Sequence, residues 1–305
     1  MGKIAFVFSG QGAQHDGMGS DLYNNIDLAK NLFEQFEEIK PGTKNLCFNG
    51  TKEDLSQTEN TQPCLYAVDL IAALCLKEKG IIPDVLAGFS LGELAALSFA
   101  GSMSYKEGFE IVCKRGQYMQ LSGEENDSVM MAVVKLDNET VENLCKKYNQ
   151  VYPVNYNCNG QLVVSGLREE MDLFKVDVKE AGGRALPLSV SGGFHSPFMS
   201  SAEKKFKSYL DTMKFNKPEI PVYANYTAEV YTEDVGNLLA KQLLNPVLWQ
   251  KTIEHMIECG VDTFIEVGVG KTLCKLIQKI SDKVKVYNVE DMASLEKTLS
   301  EVKNA

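Results

Sequence analysis

The chain has 305 residues, 44% of them hydrophobic and 24% charged, with a formal net charge of −10 at pH 7. That length and apolar content bury a sizeable core, in one large domain or one that carries a smaller insertion. The negative balance repels phosphate backbones and anionic lipid surfaces, so nucleic-acid binding and membrane association are set aside.

Residues 3–9 form a compact apolar run ending in GQG, the pattern of a buried strand that leads into a functional loop. No charged leader with a long apolar stretch and cleavage site precedes it, and no window approaches about 18 unbroken apolar residues. A cytoplasmic protein is the expectation. Helical periodicity follows over residues 21–38 and 62–79, the second closed by Gly80. Residues 84–90 read as a short buried strand, and the segment LGELAALSFAG as a helix closed by Gly101. Strands alternating with helices predict a mainly parallel, doubly wound sheet.

From residue 128 to 189 the order becomes β-α-β-β-α-β, with a helix opened by Asn138, which is the ferredoxin-like pattern. The reading is α/β: a large core with a mainly parallel sheet over 1–127 and 190–305, with an inserted ferredoxin-like subdomain over 128–189. Three more segments, IPVYANYTAEV, DTFIEVG and KVYNVED, supply later strands. The eight cysteines contain no C-x-x-C pair and no metal-ligand rhythm, so they are expected to be reduced thiols, and no metal site is expected.

One short motif carries chemistry. In VLAGFSLGELAAL, Ser90 stands between Gly88 and Gly92, at the tip of a predicted strand-turn-helix. A nucleophile on such an elbow adopts strained backbone angles, and the residues two before and two after it crowd together unless both are glycine. The turn also aims the Leu91 N–H and the start of the next helix at an oxygen developing charge beside Ser90. The bland alternative is a glycine-rich turn in which Ser90 only caps the helix.

A serine needs a base to take its proton. Of the three histidines, His255 lies in a helical stretch and His15 in the loop GQGAQHDGMG. His195, in the glycine-rich turn VSGGFHSPFM at the lip between the two predicted units, is the candidate base. No Asp or Glu stands out as a third triad member, so a Ser-His dyad oriented by a neutral acceptor is the expectation.

Eight segments, FSGQGAQHDGMG, QPCLYAVDL, AGFSLGELAAL, CKRGQYMQ, PVNYNCNGQLVVSG, GGFHSPFM, QLLNPVLW and EVGVGKTL, run in the order found in malonyl-CoA:acyl-carrier-protein transacylases. The chain resembles that family over nearly its whole length, which implies a hydrolase-like α/β core carrying the ferredoxin-like insertion. The resemblance implies a two-step transfer: Ser90, deprotonated by His195, takes the malonyl group from malonyl-CoA, and the phosphopantetheine thiol of acyl carrier protein removes it. It implies no resident cofactor and a monomer, with acyl carrier protein and malonyl-CoA as partners. The same resemblance puts the oxyanion hole on the backbone N–H groups of Gln11 and Leu91 and the grip on the malonyl carboxylate on Arg115. It gives Phe194 a part in preferring malonyl over alkyl-malonyl groups, and assigns the Gln242 main-chain carbonyl to holding His195. Asn157 lies in a family motif without a definite role.

Two positions depart from the family pattern: Phe89 stands where a histidine usually precedes the serine, and Val269 where proline is common. GVGKT at 268–272 imitates the end of a phosphate-binding loop, but Ile265 occupies the place of its first glycine. Docking of an acidic carrier calls for a basic patch, for which Lys271, Lys275 and Lys279, or Lys204, Lys205 and Lys207, are the candidates. Rival readings are a polyketide-pathway acyltransferase, a serine hydrolase of acyl thioesters and a non-catalytic carrier-binding module.

Overall fold

The computed structural model describes residues 2–232 and 234–303. In chain order its strands are β1 (Lys3–Phe8), β2 (Val85–Gly88), β3 (Ser128–Val134), β4 (Val151–Cys158), β5 (Gln161–Leu167), β6 (Arg184–Pro187), β7 (Val222–Tyr223), β8 (Val261–Val267) and β9 (Lys285–Val289). They make two sheets. The first, in the order β7-β2-β1-β8-β9, is parallel throughout; the second, in the order β4-β5-β3-β6, is antiparallel.

Both faces of β1 are buried, as a central parallel strand requires. Phe6 and Phe8 pack into the large cluster beneath the helices Thr58–Glu78, Gly92–Phe99 and Tyr105–Glu124, while Ala5 and Val7 face Trp249, Ile253 and Ile277 on the other side. Helix Thr58–Glu78 contains Pro63, which cannot donate to the carbonyl four residues back. That carbonyl, Glu59 O, instead accepts a bond from Lys40 Nζ at 2.5 Å.

The antiparallel sheet follows β3, helix Asn138–Cys145, β4, β5, helix Arg168–Glu180, β6, the predicted order. Its strands alternate faces: Met131 and Val133 enter a small core with Leu162, Val164 and Phe174, whereas Met130 and Ala132 pack into the main cluster. Backbone bonds from Tyr156 N to Val247 O and from Val247 N to Val154 O tie β4 to the main unit.

Some expected elements differ. The helix read over 21–38 is two helices, Ser20–Asn25 and Asp27–Ile39, broken where Ile26 is extended (φ −130°, ψ 119°). The helix read from residue 62 begins at Thr58. The helix at Asn138 is capped by the residue before it, the Asp137 side chain accepting the Thr140 N–H. The strand read in IPVYANYTAEV is only Val222–Tyr223, because the chain turns back through Ala228 (φ 56°) and Tyr223 bridges to Val230.

At the end of β2 the chain passes into helix Gly92–Phe99 through Ser90, whose φ of 55° is left-handed. A Cβ on Gly88 would stand 1.9 Å from the Gly92 carbonyl carbon, and one on Gly92 would stand 2.4 Å from Phe8 O. Both obstacles are backbone, which cannot rotate away. Gly88→Ala is therefore expected to cost about 3 kcal/mol or more of stability. A thermal melt of the variant checks this, and an unchanged midpoint would mean that the elbow can open.

Candidate active site

Segments remote in sequence meet at the elbow, among them those of His195, Arg115 and Gln242. His195, at φ 58° and only 3% exposed, places Nε2 2.8 Å from Ser90 Oγ and Nδ1 2.9 Å from the Gln242 carbonyl oxygen. A carbonyl can only accept, so Nδ1 carries the hydrogen and Nε2 presents its lone pair to the Ser90 hydroxyl. Burial, and then the charge of Arg115, hold the imidazole pKa down to about 4, so the ring is neutral near pH 7. The ring nitrogens thus face a hydroxyl and a carbonyl rather than a carboxylate.

Arg115 projects from helix Tyr105–Glu124, whose start is fixed by a capping box of Ser104 and Glu107. Its guanidinium is fully buried. Nη1 donates to Gln62 Oε1 at 2.8 Å, and Nη2 donates to Gln242 Oε1 at 2.8 Å and to Ser90 Oγ at 3.2 Å. Nε has no partner among the described residues. Burial pulls its pKa down to about 10, opposed by the charge of Glu93. A buried cation held by two neutral amides, with its fork beside the nucleophile, is set to receive an anion.

Gln242 does more than the sequence reading gives it. Its main chain holds His195, while its side chain holds Arg115 and donates from Nε2 to Ser90 O at 2.9 Å. Gln11 sits on the loop after β1, its side chain donating to Thr58 Oγ1 at 3.1 Å. A Cβ on the preceding Gly10 would lie 2.7 Å from Phe89 O, so this loop runs flush against the elbow. The bonds closing the elbow run from Gly92 N to Phe89 O and from Glu93 N to Ser90 O, which leaves the Leu91 N–H out of the turn's own closure. Phe194 is 5% exposed and packs into the main cluster just before His195.

Phe89 is half-buried. Its ring lies edge-on to Trp249 at 5.4 Å and borders a cleft of about 180 Å³ shared with Gln11, Asn155 and Asn157. A wider cleft of about 1000 Å³ opens between Gln11, Lys52 and Leu188. The other histidines are engaged elsewhere: His15 is exposed, 3.9 Å from Glu290, and His255 Nδ1 lies 3.0 Å from Ala228 O. The segment imitating a phosphate loop is closed to phosphate, because the buried Glu266 carboxylate takes the Leu273 N–H at 3.1 Å and the Cys274 N–H at 2.8 Å. Lys275 and Lys279 are exposed on helix Thr272–Ile280 and Lys271 is exposed just before its first residue, whereas Lys207 is paired with Asp211 at 2.5 Å.

Sequence reasoning missed Gln62, Glu93 and Asn225. Asn225 contacts Ser90 and Gly88 through its side chain, and Glu93 anchors Asn225. Glu93 left one signal, a carboxylate in the first turn of an otherwise apolar helix.

A serine on a strained elbow, facing a neutral imidazole and backed by a guanidinium, defines a serine acyl-transfer enzyme on an α/β fold. The chain belongs to the acyl transferase domain family, whose model matches residues 5–303, and within it to the malonyl CoA-acyl carrier protein transacylases. It is 39% identical to the malonyl CoA-acyl carrier protein transacylase of Bacillus subtilis over 99% of this chain and 98% of that one. Among solved structures, the transacylase from Clostridium perfringens superposes with a TM-score of 0.95 at 38% identity, covering 99% of this chain and 98% of that one. A second superposes at 0.94 and 34% identity over 98% of this chain and 99% of that one. It is a malonyl-transacylase in complex with a type II PKS acyl-carrier protein. No described helix is long and apolar enough to cross a membrane.

Proposed function

We propose that the chain transfers the malonyl group of malonyl-CoA to the phosphopantetheine thiol of acyl carrier protein through a malonyl ester of Ser90, supplying fatty acid biosynthesis. The observation that carries the reading is the buried Arg115 fork, 3.2 Å from Ser90 Oγ, which suits an acyl group bearing its own carboxylate.

Ser90 Oγ attacks the thioester carbon while His195 Nε2 takes its proton. The tetrahedral oxyanion forms between the Gln11 and Leu91 N–H groups; losing one such donor typically costs about 2.7–4 kcal/mol. Collapse expels the CoA sulfur, which receives the proton from His195. The carrier thiol then gives its proton to His195 and attacks the ester, and Ser90 recovers a proton as it leaves. Phe194 limits the room beside C2 of the malonyl group. No resident cofactor is needed, since malonyl-CoA is substrate and the carrier brings its own thiol. The enzyme works as a cytoplasmic monomer, and the exposed Lys271, Lys275 and Lys279 meet the acidic carrier.

Incubation with malonyl-labelled malonyl-CoA, followed by peptide mapping, is expected to put the label on Ser90, and added carrier thiol is expected to discharge it faster than water does. An unlabelled chain would overturn the reading, and rapid release without a thiol would make the enzyme a hydrolase. The complex of a relative with a polyketide carrier favours one second reading, supply to a polyketide pathway. Comparing discharge by fatty-acid and polyketide carriers separates the two.

A further inference from the structure

Ser90 holds a left-handed conformation that non-glycine residues seldom adopt, and a buried side chain bonds the chain on either side of Phe89. Strand β2 pairs in parallel with β7 only through Leu86 with Val222 and Ala87 with Tyr223. Past that point the main chain of the β7 segment turns away, and the 1% exposed Asn225 side chain takes its place. Its Nδ2 donates to Gly88 O at 2.6 Å, and its Oδ1 accepts from Ser90 N at 2.7 Å. One planar amide therefore spans the elbow as a neighbouring strand's peptide group would, bonding the chain on both sides of Phe89.

Asn225 is itself fixed from the helix that follows the elbow. Its backbone N–H donates to Glu93 Oε2 at 2.7 Å, and the Tyr231 hydroxyl donates to the other carboxylate oxygen. Glu93 is 1% exposed and sits in the first turn of helix Gly92–Phe99, where the helix dipole favours a negative charge. The network continues inward, since Gln242 Nε2 reaches Asn225 Oδ1 at 3.4 Å.

We propose that Asn225 is a positioning residue for acyl transfer: its side-chain amide clasps Gly88 O and Ser90 N, holding the Ser90 hydroxyl toward His195, with Glu93 fixing Asn225 in place. Small errors in aim weaken a nucleophile steeply, because the reacting atoms must meet at near-attack distance and angle. The inference rests on the reading of Ser90 as the nucleophile.

The test uses an isosteric change, Asn225→Asp, which keeps an acceptor for Ser90 N but replaces the donor to Gly88 O with a carboxylate oxygen. The probe is diisopropyl fluorophosphate, which phosphorylates a reactive serine with loss of fluoride and needs no malonyl recognition. The inactivation rate constant and kcat for malonyl transfer are both expected to fall about 100-fold, with KM for malonyl-CoA changed less than about threefold. Glu93→Gln is expected to lower the same two rates about tenfold, and the double variant is expected to lose less than the product of the single losses. Unchanged inactivation rate and kcat in both variants, with any loss confined to the thermal midpoint, would overturn the proposal and leave Asn225 a folding residue. Failure of the parent chain itself to react at Ser90 would instead overturn the reading beneath it.

Discussion

Replacing His195 with alanine is expected to slow acylation of Ser90 about 10²–10⁴-fold, the range supplied by a positioned general base. Nε2 is the acceptor 2.8 Å from the Ser90 hydroxyl, and no other histidine is near enough to replace it, since His15 and His255 are engaged with Glu290 and Ala228. The hydrogen bond from Nδ1 to Gln242 O fixes the tautomer without a carboxylate. The same geometry sets a pH dependence. Burial, with the Arg115 charge second, holds the His195 pKa at about 4. Only neutral imidazole takes the proton, so in Glu93→Gln, which has no carboxyl titrating beside the elbow, the acylation rate is expected to stay level as pH falls from 8 to 5 and to drop as pH passes through about 4. A histidine at its ordinary value of about 6.5 would already lose rate near pH 6. Rapid-mixing measurement of kcat/KM for loading separates the two cases. In the parent chain Glu93 titrates as well, its carboxyl raised by burial to about 7, and its protonation is expected to add a separate, smaller fall near that pH, while the His195 limb stays in place.

What the sequence makes legible here is what depends on neighbours in the chain. The elbow is readable because its two glycines answer a local collision, Gly88 against the Gly92 backbone. The small unit is readable because its strands and helices follow one another in a recognisable order, with central strands that alternate between two cores, as Met130 and Met131 do. The break at Ile26 is hidden, because an apolar residue in phase with the helix gives no sign that its backbone is extended. Gln62, Asn225 and the Gln242 side chain are hidden for another reason. They are neutral amides that join the site across 53, 135 and 152 residues of chain, and nothing in their own segments marks them. Phe89 shows the intermediate case. The sequence marks the departure, while the edge-on contact with Trp249 and the flush approach of Gly10 explain how a ring is accommodated beside the nucleophile.

Arg115→Ala is expected to reduce kcat/KM for malonyl-CoA about 10²–10³-fold, in line with the 2–5 kcal/mol that truncating one partner of a buried, hydrogen-bonded charge pair costs. Acetyl-CoA has no free carboxylate, so its residual transfer is expected to fall much less, and the preference between the donors collapses. Part of any loss comes from the enzyme alone, because the variant leaves Gln62 Oε1 and Gln242 Oε1 without the guanidinium that both accept from. That part is common to both donors and cancels in the ratio of their kcat/KM values. Arg115→Lys sharpens the comparison: an ammonium keeps the charge but cannot bridge two amide oxygens and a carboxylate with one planar fork. It is expected to restore malonyl transfer only in part, at a higher KM. Equal losses with malonyl-CoA and acetyl-CoA would show that Arg115 serves to hold Gln242, and through it His195, rather than to recognise the donor's carboxylate. The unpartnered Nε argues for recognition: among the described residues no carboxylate lies within ion-pair distance of the guanidinium, and the Glu93 charge acts on it only from farther off, so the fork beside Ser90 is open to an incoming carboxylate.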